Sequence, residues 1–534
     1  MPKKKREPSG KNRMGEIFSK SLLGLIALVF LTGGCAMVGP NYVKPPVQEP
    51  KEWMEKEDPQ IKSEPTDFGE WWKLFNDPVL DSLIETAYQQ NLPLRIAGIR
   101  ILEARARLGI ATGTLYPQQQ VGVGSYTRTS ASTTQANFPP GFDNSFSNYG
   151  LSFDAAWELD FWGRFRRAVQ SSLGNLEATI ADYDDTLVTL SAEVARTYVV
   201  IRTLEERLVV ARENVKIQER SVQIARVRFE GGDVSELDVT QATSLLKDTQ
   251  ALIPRLEGQL RQTKNALAIL LGMLPGEIQA MLSGPELIPT VPAEVAVSVP
   301  AELLRRRPDI RGAERQMASQ SARIGVAKSN LYPHFVLFGS IGISTANSSD
   351  FFDSDSIQAF GGPGVTWDLF NYGRIRNRVR VQDALFQQLI VNYENTVLQA
   401  AQEVEDAIVA FLRTQEEAKF LAGSVAASKR AVDLSMLQYR EGLADYQRVL
   451  DSQRSLTIAQ DNHTVIRGSV VTNLVALYKA LGGGWEARIG KEFVPEEIKE
   501  EMEERTNWGN LLTPATHEKP TPEEEQKLWR SPEW

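Results

Sequence analysis

The sequence predicts a mainly helical chain with two membrane-type β-hairpins, in which one structural unit occurs twice. Three observations carry this fold class. First, Trp157-Glu158-Leu159-Asp160-Phe161-Trp162-Gly163-Arg164 returns about 210 residues later as Trp367-Asp368-Leu369-Phe370-Asn371-Tyr372-Gly373-Arg374. The register holds through Glu193-Val194 with Glu403-Val404, Phe229 with Tyr439, and Leu271-Gly272 with Leu481-Gly482. Upstream, Leu115-Tyr116-Pro117 returns as Leu331-Tyr332-Pro333 at an offset about six residues longer, which confines the slip to a loop-bearing segment. Spacing kept over so long a stretch means two copies of one unit. Second, no proline interrupts the chain between Pro140 and Pro254 or between Pro363 and Pro495, and each window carries a heptad stripe. Third, each Tyr-Pro is followed by a glycine-interrupted run of period-two character.

Residues 1–34 read as an export signal: Lys3-Lys4-Lys5-Arg6, the apolar run Leu22 to Leu31, then small residues. That run is too short for a transmembrane helix, and no later stretch approaches the required length. Met14 is an alternative start to Met1. The single cysteine, Cys35, follows Leu31-Thr32-Gly33-Gly34, which resembles a bacterial lipoprotein cleavage box with Thr32 where an apolar residue is usual. In such proteins the cysteine becomes the N-terminal residue and carries S-diacylglycerol and an N-acyl chain, an anchor rather than a span. Residues 35–77 are then a lipid-anchored N-terminal segment. A lone cysteine also excludes an internal disulfide.

Repeat 1 covers residues 78–272. A helix of about 35 residues is expected from Pro78 to Leu115, then a strand through Gln120–Tyr126, a polar loop, and a second strand ending at Trp157. The stripe Leu176, Ile180, Tyr183, Leu187, Leu190, Val194 continues to Phe229 in steps of three and four, which keeps one seam facing a partner helix. A helix of about 65 residues is roughly 100 Å long at 1.5 Å per residue. Gly231-Gly232 stop it, and a helix of about 40 residues returns to Gly272. After a linker at 273–299, repeat 2 (300–482) gives the same series. It has a helix from about Pro300 to Leu331 and strands through Phe335–Ile343 and up to Trp367. The stripe then runs from Phe386 to Tyr439, a stop falls at Gly442, and the return ends at Gly482. Two short helices end to end match one long one, which suits a tube wall.

Residues 483–534 form a charged, proline-rich periplasmic tail, partly disordered. It has a short helix at Glu496–Arg505 and is expected against the outside of the tube near its waist.

Two hairpins give four strands per chain. A closed barrel needs about eight, and unpaired backbone in lipid costs several kcal/mol per group, so the chain must oligomerise. Tyr116, Trp157, Trp162, Tyr332, Trp367 and Tyr372 at the strand–helix junctions suit an interfacial girdle.

Composition excludes other classes. The formal charge is −9, and the seven basic and two acidic residues of 1–34 carry +5 of it, so the processed chain sits near −14. An acidic chain without a basic patch argues against nucleic acid. His334, His463 and His517 lack ligand spacing, so no metal is expected. No phosphate loop or nucleophile signature occurs, so neither an enzyme nor a cofactor is expected beyond lipid on Cys35. The rival reading is a structural periplasmic coiled-coil lipoprotein without channel activity.

Several stretches in order resemble the TolC-type outer-membrane factors, specifically the OprM/NodT-like efflux lipoproteins, over about residues 31–485. They are Cys35-Ala36, Gly39-Pro40-Asn41-Tyr42-Val43-Lys44-Pro45, Trp71-Trp72-Lys73-Leu74-Phe75-Asn76-Asp77-Pro78, the Trp157–Arg164 junction, Leu304-Arg305-Arg306-Arg307-Pro308-Asp309-Ile310 and Tyr439-Arg440-Glu441-Gly442. The resemblance implies a homotrimer whose four strands per chain complete a twelve-stranded β-barrel in the outer-membrane lipid. Below it, the long-helix hairpins would form a trimeric α-barrel tunnel in the periplasm. It implies a passive exit duct for small molecules, served by a periplasmic adaptor (membrane-fusion) protein and an inner-membrane pump of the RND type. It also places a periplasmic gate on Tyr439, Asp451 and Arg454. Three Asp451 carboxylates near the axis would repel one another unless paired, and Arg454 at i+3 is a partner within reach. Gln447 departs from the pattern, which often has a bulky apolar residue there. The turns at Arg228–Asp233 and Gln438–Asp445, with Gly231, Gly232, Asp233, Glu441 and Gly442, are the expected adaptor contacts. The first tip carries Phe229, Gln241 and Ser244 where the second has Tyr439, Asp451 and Arg454, so the gate is expected on the second.

Overall fold

The computed structural model describes residues 37–47, 52–62, 68–136, 139–141, 143–283, 287–292, 295–297 and 306–513. The signal segment, Cys35, the expected helix start at Pro300 and residues 514–534 lie outside these.

A short strand β1 (Ile61–Lys62) and a 3-10 turn at Trp71–Phe75 precede helices α1 (Pro78–Gln90) and α2 (Leu92–Gly113). Strands β2 (Gln119–Ser130) and β3 (Ser145–Leu159) lead into α3 (Arg164–Glu230) and α4 (Glu236–Leu270). Strand β4 (Val295–Ala296) pairs in parallel with β1. The second unit is α5 (Pro308–Ser329), β5 (His334–Thr345), β6 (Ile357–Thr366), α6 (Arg374–Arg440) and α7 (Tyr446–Ala480), followed by α8 (Glu496–Arg505).

The helices of the two copies agree in length to the residue. Both long helices have 67 residues, both returning helices 35, and both α2 and α5 have 22. Each long helix ends in the same way. Gly232 (φ 82°) and Gly442 (φ 74°) occupy the left-handed region that glycine enters at no steric penalty. The following Asp233 and Leu443 N–H groups bond back to Arg228 and Gln438 carbonyls at 2.9 and 2.8 Å, closing a Schellman motif on each helix end.

One expectation needs correction. The single helix expected over Pro78–Leu115 is two, broken at Asn91. Pro93 has no N–H to continue the α1 ladder and its ring would clash with the Gln89 carbonyl, and Asn91 is extended (ψ 122°) with its side chain capping the Leu94 N–H at 2.9 Å. In the second copy Pro308 likewise sits at the start of α5.

The four long strands form one sheet in the order β2-β3-β5-β6. Below it the long helices run side by side, with α3 against α2, α4, α5 and α7, and α6 against α5 and α7. The main core lies at mid-length. There Trp71, Trp72 and Phe75 from the N-terminal segment, Ile278, Leu282 and Ile288 from the linker, and Tyr198, Phe411 and Tyr478 from the helices are buried together. The charged tail is built in more firmly than its composition suggests. Phe493, Val494, Met502 and Leu512 belong to this core, and Arg488 is doubly bonded to the fully buried Asp184, which also binds Arg311.

Candidate functional site

Three regions carry the geometry of a conduit: the sheet, the strand–helix junction and the helix tips. Cross-strand partners in an antiparallel pair share a face, so the registers sort the sheet. One face carries Leu151, Phe153 and Trp157 on β3, Leu337, Ile341 and Ile343 on β5, and Ile357, Pro363 and Val365 on β6. The other is more polar, with Ser152, Asp154, Ser340, Ser344 and Gln358 alongside Val121, Val123, Phe338 and Phe360. An apolar outer band and a polar inner wall is the alternation of a membrane barrel. Strands β2 and β6 are the edges, and among the described residues nothing pairs with their outer sides.

At the junction the two copies repeat one bond. Trp157 Nε1 donates to the Leu115 carbonyl at 3.2 Å, and Trp367 Nε1 to the Leu331 carbonyl at 3.1 Å. Trp162 goes further: it stacks on Tyr332 at 4.6 Å and donates to the Pro333 carbonyl at 2.8 Å, joining the end of one unit to the start of the next. Its counterpart Tyr372 is 99% exposed within the chain. The N-terminal segment passes over this point. Val38 N–H donates to the Trp162 carbonyl at 3.0 Å, and Gly39 lies so close to Gly325 that a Cβ on it would sit 2.5 Å from the Gly325 Cα.

At the tips, Ala225, Ala242, Leu245, Tyr439, Tyr446, Val449 and Leu450 form a small separate core. Tyr439 is 1% exposed. Its ring packs edge-on against Tyr446 at 5.2 Å, and its hydroxyl donates to Asp238 Oδ2 at 3.2 Å on the first hairpin. Arg228 lies over the same ring at 4.7 Å and donates to the Tyr439 carbonyl. Burial, with the Asp238 carboxylate beside it, raises the Tyr439 pKa well above the phenol range, so the hydroxyl remains a donor. The two hairpin tips are thus tied by one clamp of Arg228, Asp238 and Tyr439.

The other expected gate residues sit apart from it. Asp451 and Arg454 are exposed on α7, and Asp451 takes its hydrogen bond from Gln447 Nε2 at 3.0 Å rather than from Arg454. Gly231, Gly232, Asp233, Glu441 and Gly442 are exposed in the two turns. Sequence reasoning missed Asp238 and the clamping role of Arg228. A signal existed: in the second copy these positions hold Arg448 and Gln438, so the copies differ most in charge at the tip. Among the described residues no group of His, Cys, Asp and Glu is placed to hold a metal, and no helix is long and apolar enough to cross a membrane.

Comparison with known proteins gives this architecture its family. The family model described as "Outer membrane efflux protein" matches residues 83–273 and 299–483. The pyoverdine export outer membrane protein OpmQ of Pseudomonas putida is 34% identical over 431 residues, covering 78% of this chain and 88% of its own. Nodulation protein T of Rhizobium leguminosarum bv. trifolii is 30% identical, covering 80% and 90%. Among solved structures, the outer-membrane channel OprN superposes with a TM-score of 0.79 at 31% identity, over 84% of this chain and 99% of its own. The transmembrane channel CusC gives 0.73 at 25% identity, over 84% and 100%. With both repeats matched and the fold shared over nearly the full length of these channels, the chain belongs to the outer membrane efflux protein family.

Proposed function

We propose that three copies of this chain close into a single exit duct, with a twelve-stranded barrel in the outer membrane and an α-helical tunnel in the periplasm. The duct receives small molecules from an inner-membrane pump of the RND type through a periplasmic adaptor. The observation that carries this reading is the unused half of the repeat. Inside the chain, the Trp162 junction of the first unit docks on Tyr332 and Pro333 of the second. The second unit presents Tyr372 and Phe370, both exposed, and the first begins with Tyr116-Pro117 at the position matching Tyr332-Pro333. Docking the second unit of one chain on the first unit of the next repeats the internal contact and joins β6 to β2, which leaves no edge strand in lipid.

Two glycines support the same seam. Gly468 in α7 has its Cβ position 2.2 Å from Thr203 Oγ1, whereas its counterpart Gly258 in α4 has open space around it within the chain. A mid-helix glycine costs about 1 kcal/mol relative to alanine, and close approach of a neighbouring chain gives Gly258 a use.

Cys35 carries the lipid in this reading. What supports it is that Met37 and Val38, the first described residues after it, lie at the strand–helix junction. The adaptor engages the tips at Gly231, Gly232, Asp233, Glu441 and Gly442. The gate combines the Tyr439 clamp with the exposed Asp451 and Arg454 of three chains. No bond is made or broken in the cargo.

Cysteines placed at Tyr116 and Tyr372 test the seam. Oxidation should crosslink chains into a trimer that conducts in planar bilayers. A chain that stays monomeric on crosslinking, or a trimer that never conducts, would sink the duct.

A further inference from the structure

On the inner face of the sheet, one uncompensated charge and two of the aromatic rings lie together. Among the described strand residues the acids are Asp154 and Glu158, both on the polar face. Glu158, at the helix end of β3, is held by Arg164 at 3.1 Å and His334 Nδ1 at 2.7 Å. Asp154 has neither: its carboxylate accepts from Ser152 Oγ at 3.1 Å. It sits in a row that crosses all four strands, Val121, Asp154, Ser340 and Phe360. The next row toward the helices is Gln119, Ala156, Phe338 and Gly362. Phe338 and Phe360 are therefore diagonal neighbours facing inward. Both are exposed, and Gly364 leaves room beside the Phe338 ring, whose Cε1 would lie 3.2 Å from a Cβ there.

We infer that Asp154, with Phe338 and Phe360 around it, sets the selectivity of the barrel for cations that carry an apolar body. This rests on the trimeric duct proposed above, which turns each residue into a ring. Three carboxylates at one level on a wall backed by lipid concentrate cations and exclude anions, as acidic rings do in cation channels. The six phenylalanine rings resist small hydrated ions by holding water poorly, while offering an apolar or aromatic cargo a surface that needs no such hydration. The polar remainder of the wall, Ser152, Ser340 and Gln358, carries no charge to compete.

The test is the reversal potential of single trimers under a KCl gradient, in an Asp451→Ala background so that the tip contributes no acidic ring. The parent should favour K⁺. Asp154→Asn should lower the cation-to-anion permeability ratio by roughly threefold or more, with a larger effect at low salt where screening is weak. Asp154→Glu should keep the ratio, which separates charge from any folding defect. Phe338→Ser with Phe360→Ser should raise small-ion conductance about twofold at an unchanged ratio. A conducting trimer whose ratio is the same in Asp154→Asn and Asp154→Glu overturns the charge assignment. Unchanged conductance in the double serine variant overturns the aromatic one. A parent that assembles but never conducts removes the duct itself, an outcome distinct from both.

Discussion

The two repeats have helices of identical length and opposite exposure. The first long helix, α3, buries 28 of its 67 residues inside the chain, and the second, α6, buries 12 of 67. The sequence of α6 is not correspondingly polar: Val391, Leu398 and Phe420 stand exposed along it. The difference is one of position rather than of kind. Helix α3 packs against α2 and α4 of its own unit and α5 and α7 of the other, whereas α6 packs only against α5 and α7 of its own. In the trimer proposed above, what α3 does with α5 and α7 is the template for what α6 does with another copy.

The largest test of that template is Asp184, which the first repeat buries completely between Arg311 and Arg488. Asp184→Ala strands two guanidinium groups, one of them buried, and should cost about 3–5 kcal/mol in denaturant unfolding. The matching residue of the second repeat, Glu394, is exposed within the chain, and Arg95 of the first unit matches Arg311. Glu394→Ala should leave the chain's fold intact and weaken the trimer, read as dissociation at lower detergent or denaturant concentration.

Gly468→Ala should follow at about 1–3 kcal/mol, since the new methyl meets Thr203 and overpacking forces the helices apart. If Gly258→Ala instead stabilises the assembly, as an exposed helix site should, the α4–α6 seam does not copy the α7–α3 contact.

At the tips the expected effect is smaller and functional. Tyr439→Phe removes the bond to Asp238, worth about 1 kcal/mol, and should raise the frequency of open events several-fold in bilayers. Phe229, its counterpart, is 42% exposed, and Phe229→Ala should leave opening unchanged.

The smallest effect is a pH dependence. Burial, reinforced by the nearby Asp309, raises the Asp185 pKa to about 6. A carboxylate with a raised folded-state pKa adds stability when protonated and loses it as pH rises from about 4 through 6. The second repeat carries Asn395 at the matching position. Asp185→Asn should therefore stabilise the protein at pH 7–8 by about 1 kcal/mol or less, with the gain fading toward pH 4.5 in parallel thermal melts.

Much of the architecture was legible because it depends on local signals counted over long spans. The heptad stripes, the glycine stops at Gly232 and Gly442 and the period-two runs each have a short-range physical cause, and the repeat shows each twice. The break at Asn91 was also local, since Pro93 forbids the helix, but the apolar pattern on either side masked it. The clamp and the tail were illegible for another reason. Asp238 and Tyr439 are 201 residues apart and Arg488 and Asp184 are 304 apart, and no periodicity within either segment reports a partner at that distance.

The tail has a consequence for the order of events in making the protein. Phe493, Val494, Met502 and Leu512 complete a core whose other walls come from Trp71 onward, so a stretch synthesised after both repeats fills the centre of the molecule. Until it docks, the apolar side chains it covers stand open, and exposed apolar surface of that kind favours aggregation. A chain cut short before Phe493 retains both hairpins, both tips and every strand, yet lacks the piece that seals its middle. Docking of that stretch is what closes the core.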